Sequence, residues 1–97
     1  TRIPDSAMPK ILIPPQMRHL TDGLAEIEGS GATLQQLLRD TGKRYPKLRQ
    51  RVIADGGIAP GISIAIDGNV VSSGLLEPVP EGAEITIVPQ ISGGGGR

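Results

Sequence analysis

Cysteine, phenylalanine and tryptophan are absent from the 97-residue chain, and Tyr45 is its only aromatic side chain. Without cysteine there is no disulfide, no thiolate nucleophile and no soft metal ligand, and the single histidine, His19, cannot build a zinc site or a catalytic triad alone. No metal and no resident cofactor are therefore expected. No run approaches the roughly 20 apolar residues that cross a bilayer, and residues 1–7 contain no apolar signal core, so a cytoplasmic protein without a membrane role is expected. Ten basic side chains balance ten acidic ones, which removes the global field that drives nucleic-acid binding by phosphate neutralisation.

What is present is Ile, Leu and Val, branched side chains that suit a pleated sheet covered by a helix. A chain this short makes one domain and buries only about 60 to 65% of its unfolded surface. Residues 1–7 read as an N-terminal extension or cloning remnant ahead of Met8, residues 8–91 as the domain, and residues 92–97 as a glycine-rich tail.

Lys10-Ile11-Leu12-Ile13 is a short β-prone run that Pro14-Pro15 stops, because proline has no N–H for a ladder. Leu24-Ala25-Glu26-Ile27-Glu28 alternates in its second half and predicts another strand, ended by Gly29-Ser30-Gly31. Thr33 with Gln36 three residues on is a capping-box spacing, placed where Leu34, Leu37 and Leu38 begin a helical stripe. Gly42 interrupts that helix and Pro46 restarts one, with Leu48 and Val52 on one face. Asp55-Gly56-Gly57 and Pro60-Gly61 read as a loop. Ile62, Ile64 and Ile66 alternate before a tight turn at Asp67-Gly68-Asn69 and the short run Val70-Val71. After Pro78, Pro80 and Gly82, Glu84 to Val88 alternates again and Pro89 ends it.

Two strands, a helix and further strands predict an α+β domain, a mixed sheet with one main helix across one face. The β-grasp architecture fits that order. It places the first and last strands as parallel neighbours at the centre of the sheet, with Ile11 or Leu12, Ile64 and Ile87 under the helix. The segment Arg39 to Arg51 collects Arg39, Lys43, Arg44, Lys47, Arg49 and Arg51, which reads as a solvated helix face before a docking patch. Gly42-Lys43 and Gly56-Gly57 are turns, since the residues of a phosphate-binding loop are missing. His19 has no partner at recognisable spacing and receives no role.

Ser92-Gly93-Gly94-Gly95-Gly96-Arg97 follows the last strand and has no side chain to bury before Arg97, so it should be thin and disordered in the free protein. Glu81-Gly82-Ala83-Glu84-Ile85-Thr86-Ile87-Val88-Pro89-Gln90-Ile91-Ser92-Gly93-Gly94 resembles the closing segment of the MoaD/ThiS sulfur carriers, with its strand, following proline and Gly-Gly end. Ile62 to Gly68 and the helix opening at Thr33-Leu34 extend the resemblance, which runs from about Lys10 to Gly94. The cysteine-synthesis carrier and the molybdopterin-synthase small subunit look closer than the shorter thiamin carriers.

The resemblance implies a ubiquitin-like carrier, monomeric alone, that is not itself an enzyme. An adenylating, E1-like partner would use ATP to activate the carboxylate of Gly94, a sulfur donor would convert it to a thiocarboxylate, and a synthase would accept the sulfur. Gly93 and Gly95 lie in the same tail, and Val88, Pro89 and Ile91 would steer it and touch the partner. Gly95-Gly96-Arg97 departs from the family end and would have to be removed by a processing protease. Gly96 is the alternative working terminus, and Gly-Gly-Arg also reads as a cloning remnant or linker. A protein modifier joined to lysines through the same glycine, and an inert interaction module, remain open alternatives.

Overall fold

The computed structural model of the chain describes residues 8–89. Its centre is a five-stranded sheet in the order β2-β1-β7-β5-β6, formed by β1 (Lys10–Leu12), β2 (Glu26–Glu28), β5 (Ile62–Ile66), β6 (Asn69–Val70) and β7 (Glu84–Pro89). The first and last strands run parallel, Ile11 opposite Ile85, and β5 lies antiparallel to β7 with Ile64 opposite Ile87. This is the expected β-grasp topology.

Directly opposed residues share a face of the sheet. Ile11, Ile27, Ile62, Ile64, Ile66, Ile85 and Ile87 therefore all point one way, and they form a single hydrophobic cluster with Leu34, Leu37 and Leu38 of α1 (Leu34–Gly42). Ile11, not Leu12, is the buried member of the first strand. The capping prediction holds at one end: the Gln36 amide donates to Thr33 Oγ1 at 3.3 Å. The reciprocal bond falls one residue earlier, where the Ala32 amide donates to Gln36 Oε1 at 2.9 Å. A second helix, α2 (Pro46–Val52), starts with proline at its first turn, where no amide donor is missed, and buries Leu48 and Val52.

Several features differ from the sequence reading, and β6 is one of them: it starts at Asn69, paired with Ile66, and leaves out Val71, because the turn needs only Asp67 and Gly68. The second strand is only Glu26–Glu28, with Leu24 outside it and 44% exposed. Pro15–Thr21 forms a 3-10 helix that puts Met17 into the core. The Asp55-Gly56 loop is a hairpin, joining β3 (Ile53–Ala54) to β4 (Gly57–Ile58). Asp55 and Gly56 have φ of 53° and 77°, and Asp67 and Gly68 repeat that pattern at 50° and 87°. Positive φ at both central residues is the twist-matched two-residue turn that Asp-Gly favours. The second of these turns is tied to the last strand: the Glu84 amide donates to Asp67 Oδ1 at 3.0 Å, and the Asp67 amide donates to the Glu84 carbonyl at 2.9 Å.

The approach to α1 allows no side chain at two glycines. A Cβ on Gly31 would strike the backbone nitrogen of Leu37 and the backbone carbon of Gln36, and one on Gly29 would lie 2.5 Å from Thr41 Cγ2 and 3.0 Å from Leu37 Cδ1. Side chains can yield by rotation and a helix backbone cannot. Gly31→Ala should therefore cost about 1–3 kcal/mol in urea unfolding and Gly29→Ala less. Equal stability of Gly31→Ala and the parent would show that the 29–31 segment moves away from the helix freely.

Candidate functional site

The sheet has a second face, which no helix of the described residues covers. On it the registers align Glu26, Leu12, Thr86, Ala65 and Val70 in one row across all five strands. Val88 and Ser63 form the next row toward the end of β7. Lys10, Glu28 and Glu84 occupy the opposite end, and Lys10 Nζ stands 3.9 Å from Glu26 Oε2. The face is thus graded, charged where β7 begins and uncharged where it ends, at Val88 and Ser63. Val70 and Val88 are 74% and 43% exposed, the sheet's largest apolar side chains left in water. A contiguous apolar patch is the mark of a contact area, and these two valines, in neighbouring rows, make this face the candidate for one.

The expected partner-binding residues do not share one surface. Val88 lies on this open face, whereas Pro89, opposite Ile62, lies on the helix side and is half-buried. Strand alternation separates them. Ile91, Gly93, Gly94, Gly95 and Gly96 lie outside the described residues. What the structure fixes is their point of departure: β7 is an interior strand, held by β1 over Glu84 to Thr86 and by β5 from Ile85 to Pro89. The open-face row was not readable from the sequence, because it depends on the register of five strands. The exposed apolar Val70, in a strand with no buried residue, was its one local signal.

Among the described residues no group of three or more His, Asp or Glu side chains could hold a metal ion, and no helix is long and apolar enough to cross a membrane.

Comparison with known proteins agrees with this architecture. The profile of the ThiS family matches residues 11–94. A protein of Archaeoglobus fulgidus, provisionally described as a sulfur carrier protein, is 36% identical over 81 residues, covering 77% of this chain and 89% of its own. A chain in the crystal structure of the Amycolatopsis orientalis BexX/CysO complex superposes with a TM-score of 0.83 at 26% identity, covering 88% of this chain and 98% of that one. The small archaeal modifier protein 1 of Methanosarcina acetivorans superposes with a TM-score of 0.76 at 26% identity, over 90% of this chain and 96% of that one. With the central parallel pair, the single main helix and a match across most of its length, the chain belongs to the ThiS family, the MoaD/ThiS-like sulfur carriers built on a ubiquitin-like β-grasp.

Proposed function

We propose that this chain carries sulfur on the carboxylate of Gly94, as the co-substrate of an adenylating enzyme. In the first step a carboxylate oxygen attacks the α-phosphorus of ATP and pyrophosphate leaves. In the second, hydrosulfide attacks the acyl carbon, the carbon–oxygen bond to phosphate breaks and AMP leaves with a proton released, giving the thiocarboxylate that a synthase consumes. The chain contributes an unbranched acyl end and a rigid body to hold it, and the partner contributes ATP and the catalytic groups. The observation that carries the reading is that the family match ends at Gly94, the second glycine of the tail, and not at Arg97. The absence of cysteine is consistent with it, since no thiol of the same chain can exchange with the bound sulfur.

The intact mass of the protein isolated from its own cells tests this directly. A chain ending at Gly94 with one oxygen replaced by sulfur is the expected product. A chain ending at Arg97 and carrying no sulfur in any growth condition would count against it. The likeness to a small archaeal modifier protein favours a second reading, in which the same activated glycine is transferred to lysine amines. Isopeptide-linked adducts in the same cells are its signature.

The open face supplies the docking surface in either case, because it is uncharged and exposes Val88 at the end of β7 from which the tail departs. Val88→Asp should raise KM for the activating enzyme by about tenfold, roughly 1.4 kcal/mol, with kcat little changed. Val88 is 43% exposed, so the melting temperature should hold. An unchanged KM would move the docking surface elsewhere.

A further inference from the structure

The charges of this neutral chain are segregated. Arg39, Lys43, Arg44, Lys47, Arg49 and Arg51 lie within thirteen consecutive residues of α1, α2 and their turn, where Asp40 is the only acid. All six are exposed. Lys10 is the only basic residue on the open sheet face, against Glu26, Glu28 and Glu84. The basic helical layer and the docking face proposed above are therefore on opposite sides of the domain.

The basic layer also contains a cleft. It lies where the end of the 3-10 helix meets the α1–α2 turn, with a volume of ≈ 210 Å³. At about 30 Å³ per water that is room for roughly seven waters, one side chain and not a cofactor. Leu20, Tyr45 and Pro46 give it an apolar wall, and His19, Arg44 and Lys47 stand on its rim, with Asp22 the one acid. Arg44 is fixed in place: its Nη2 donates to the Glu28 carbonyl, lies 3.8 Å from Asp40 Oδ2, and its guanidinium sits 5.7 Å from the centroid of the Tyr45 ring. These partners engage Nη2, one of the three nitrogens that carry the five N–H donors of a guanidinium.

The geometry points to a site for an acidic peptide segment of a second partner protein, one apolar side chain entering the cleft and flanking carboxylates meeting Lys47, Arg44 and His19. Nucleic acid fits less well, since Tyr45 is the only aromatic and Arg44 already occupies one face of its ring. An anionic membrane fits less well too, because none of the exposed large apolar residues, Met8, Leu24, Val70, Leu76 and Val88, lies in α1 or α2 to anchor it. Because the site is across the domain from the open sheet face, the chain could be held by its helical side while the other side and the tail engage an activating enzyme.

The test uses the whole chain without ATP or enzyme, so its result is independent of the sulfur-carrier reading. The probe is the terminally blocked peptide Asp-Glu-Leu-Asp-Glu, titrated at low salt and followed by amide chemical shifts. Shifts confined to residues 19–22 and 44–47 are expected, weakened when Ser replaces Leu and abolished when Lys replaces the acids. Lys47→Glu should weaken binding by about tenfold, two reversed pair interactions at the cleft rim, and Arg51→Glu, away from the cleft, by much less. Binding that falls equally in Lys47→Glu and Arg51→Glu would show a diffuse field and no site. No shifts at millimolar peptide, or displacement of the peptide by an RNA oligonucleotide of equal charge, would overturn the proposal.

Discussion

If the chain acts as the sulfur carrier proposed above, its form ending at Gly94 should gain a thiocarboxylate from an adenylating enzyme supplied with ATP and sulfide, and the form ending at Arg97 should remain unmodified. The argument is one of reach. Three residues beyond Gly94 carry the terminal carboxylate up to about 10 Å too far, at roughly 3.3 to 3.6 Å each. The domain cannot back away to compensate if Val88 and its neighbours are seated on the partner, because β7 is paired with β1 over Glu84 to Thr86 and with β5 as far as Pro89. Displacement by even 1 Å from attack geometry can cost about a hundredfold, so the Arg97 form should lose more than that. Weighing the products of forms ending at Arg97, Gly96 and Gly94 decides the register. Reaction of the Gly96 form equal to that of the Gly94 form would move the working terminus to Gly96. Reaction of the Arg97 form would show that no processing is needed.

Leu37→Ala should lower the unfolding free energy by about 2–5 kcal/mol, the largest effect expected of a single core substitution here. Leu37 is fully buried, and Gly29 and Gly31 pass so close that a Cβ on either would strike it or its neighbours. A cavity beneath so tight a contact cannot collapse without moving the segment that connects β2 to α1. Small domains hold only about 5–15 kcal/mol in total, so the loss should appear as a fall in melting temperature of roughly 10 °C or more. Leu12→Ala, half-buried on the open face, is the contrast and should cost far less. A near-neutral Leu37→Ala would mean that the α1 stripe is not what holds the helix to the sheet.

The elements that sequence reading located are those whose pattern repeats. Ile62, Ile64 and Ile66 repeat the period of two, Ile85 and Ile87 show it again between Glu84 and Val88, and both strands appear where expected. The break between α1 and α2 was legible because Gly42 and Pro46 act locally. The missed elements are too short to have a period: β3 and β4 hold two residues each, and the 3-10 helix buries only Met17 and Thr21. Thr21 and Thr41 are core residues that composition would place outside. They are tolerated because their hydroxyls donate to backbone carbonyls, Thr21 to Leu24 at 2.9 Å and Thr41 to Leu37 at 3.1 Å. The tail offered sequence reading only a motif, since glycines have no side-chain pattern, and Gly93 to Gly96 lie outside the described residues. The surfaces of the domain were not readable at all: the row from Leu12 to Val70, the division of Val88 from Pro89, and the cleft that Lys47 helps to line all arise from residues brought together by pairing and packing.

The interior position of β7 has a mechanical consequence. An enzyme that draws the glycine end into a tunnel exerts tension along the axis of the strand that leads to it. A strand at the sheet's edge, pulled at an angle, can peel away one hydrogen bond at a time. β7 is loaded in shear against β5 over Ile85 to Pro89 and against β1 over Glu84 to Thr86, and these register bonds must fail as a set, in a step limited by the rate of unfolding and not by its equilibrium. The end of this chain can therefore be pulled into another protein's active site without unravelling the body that carries it.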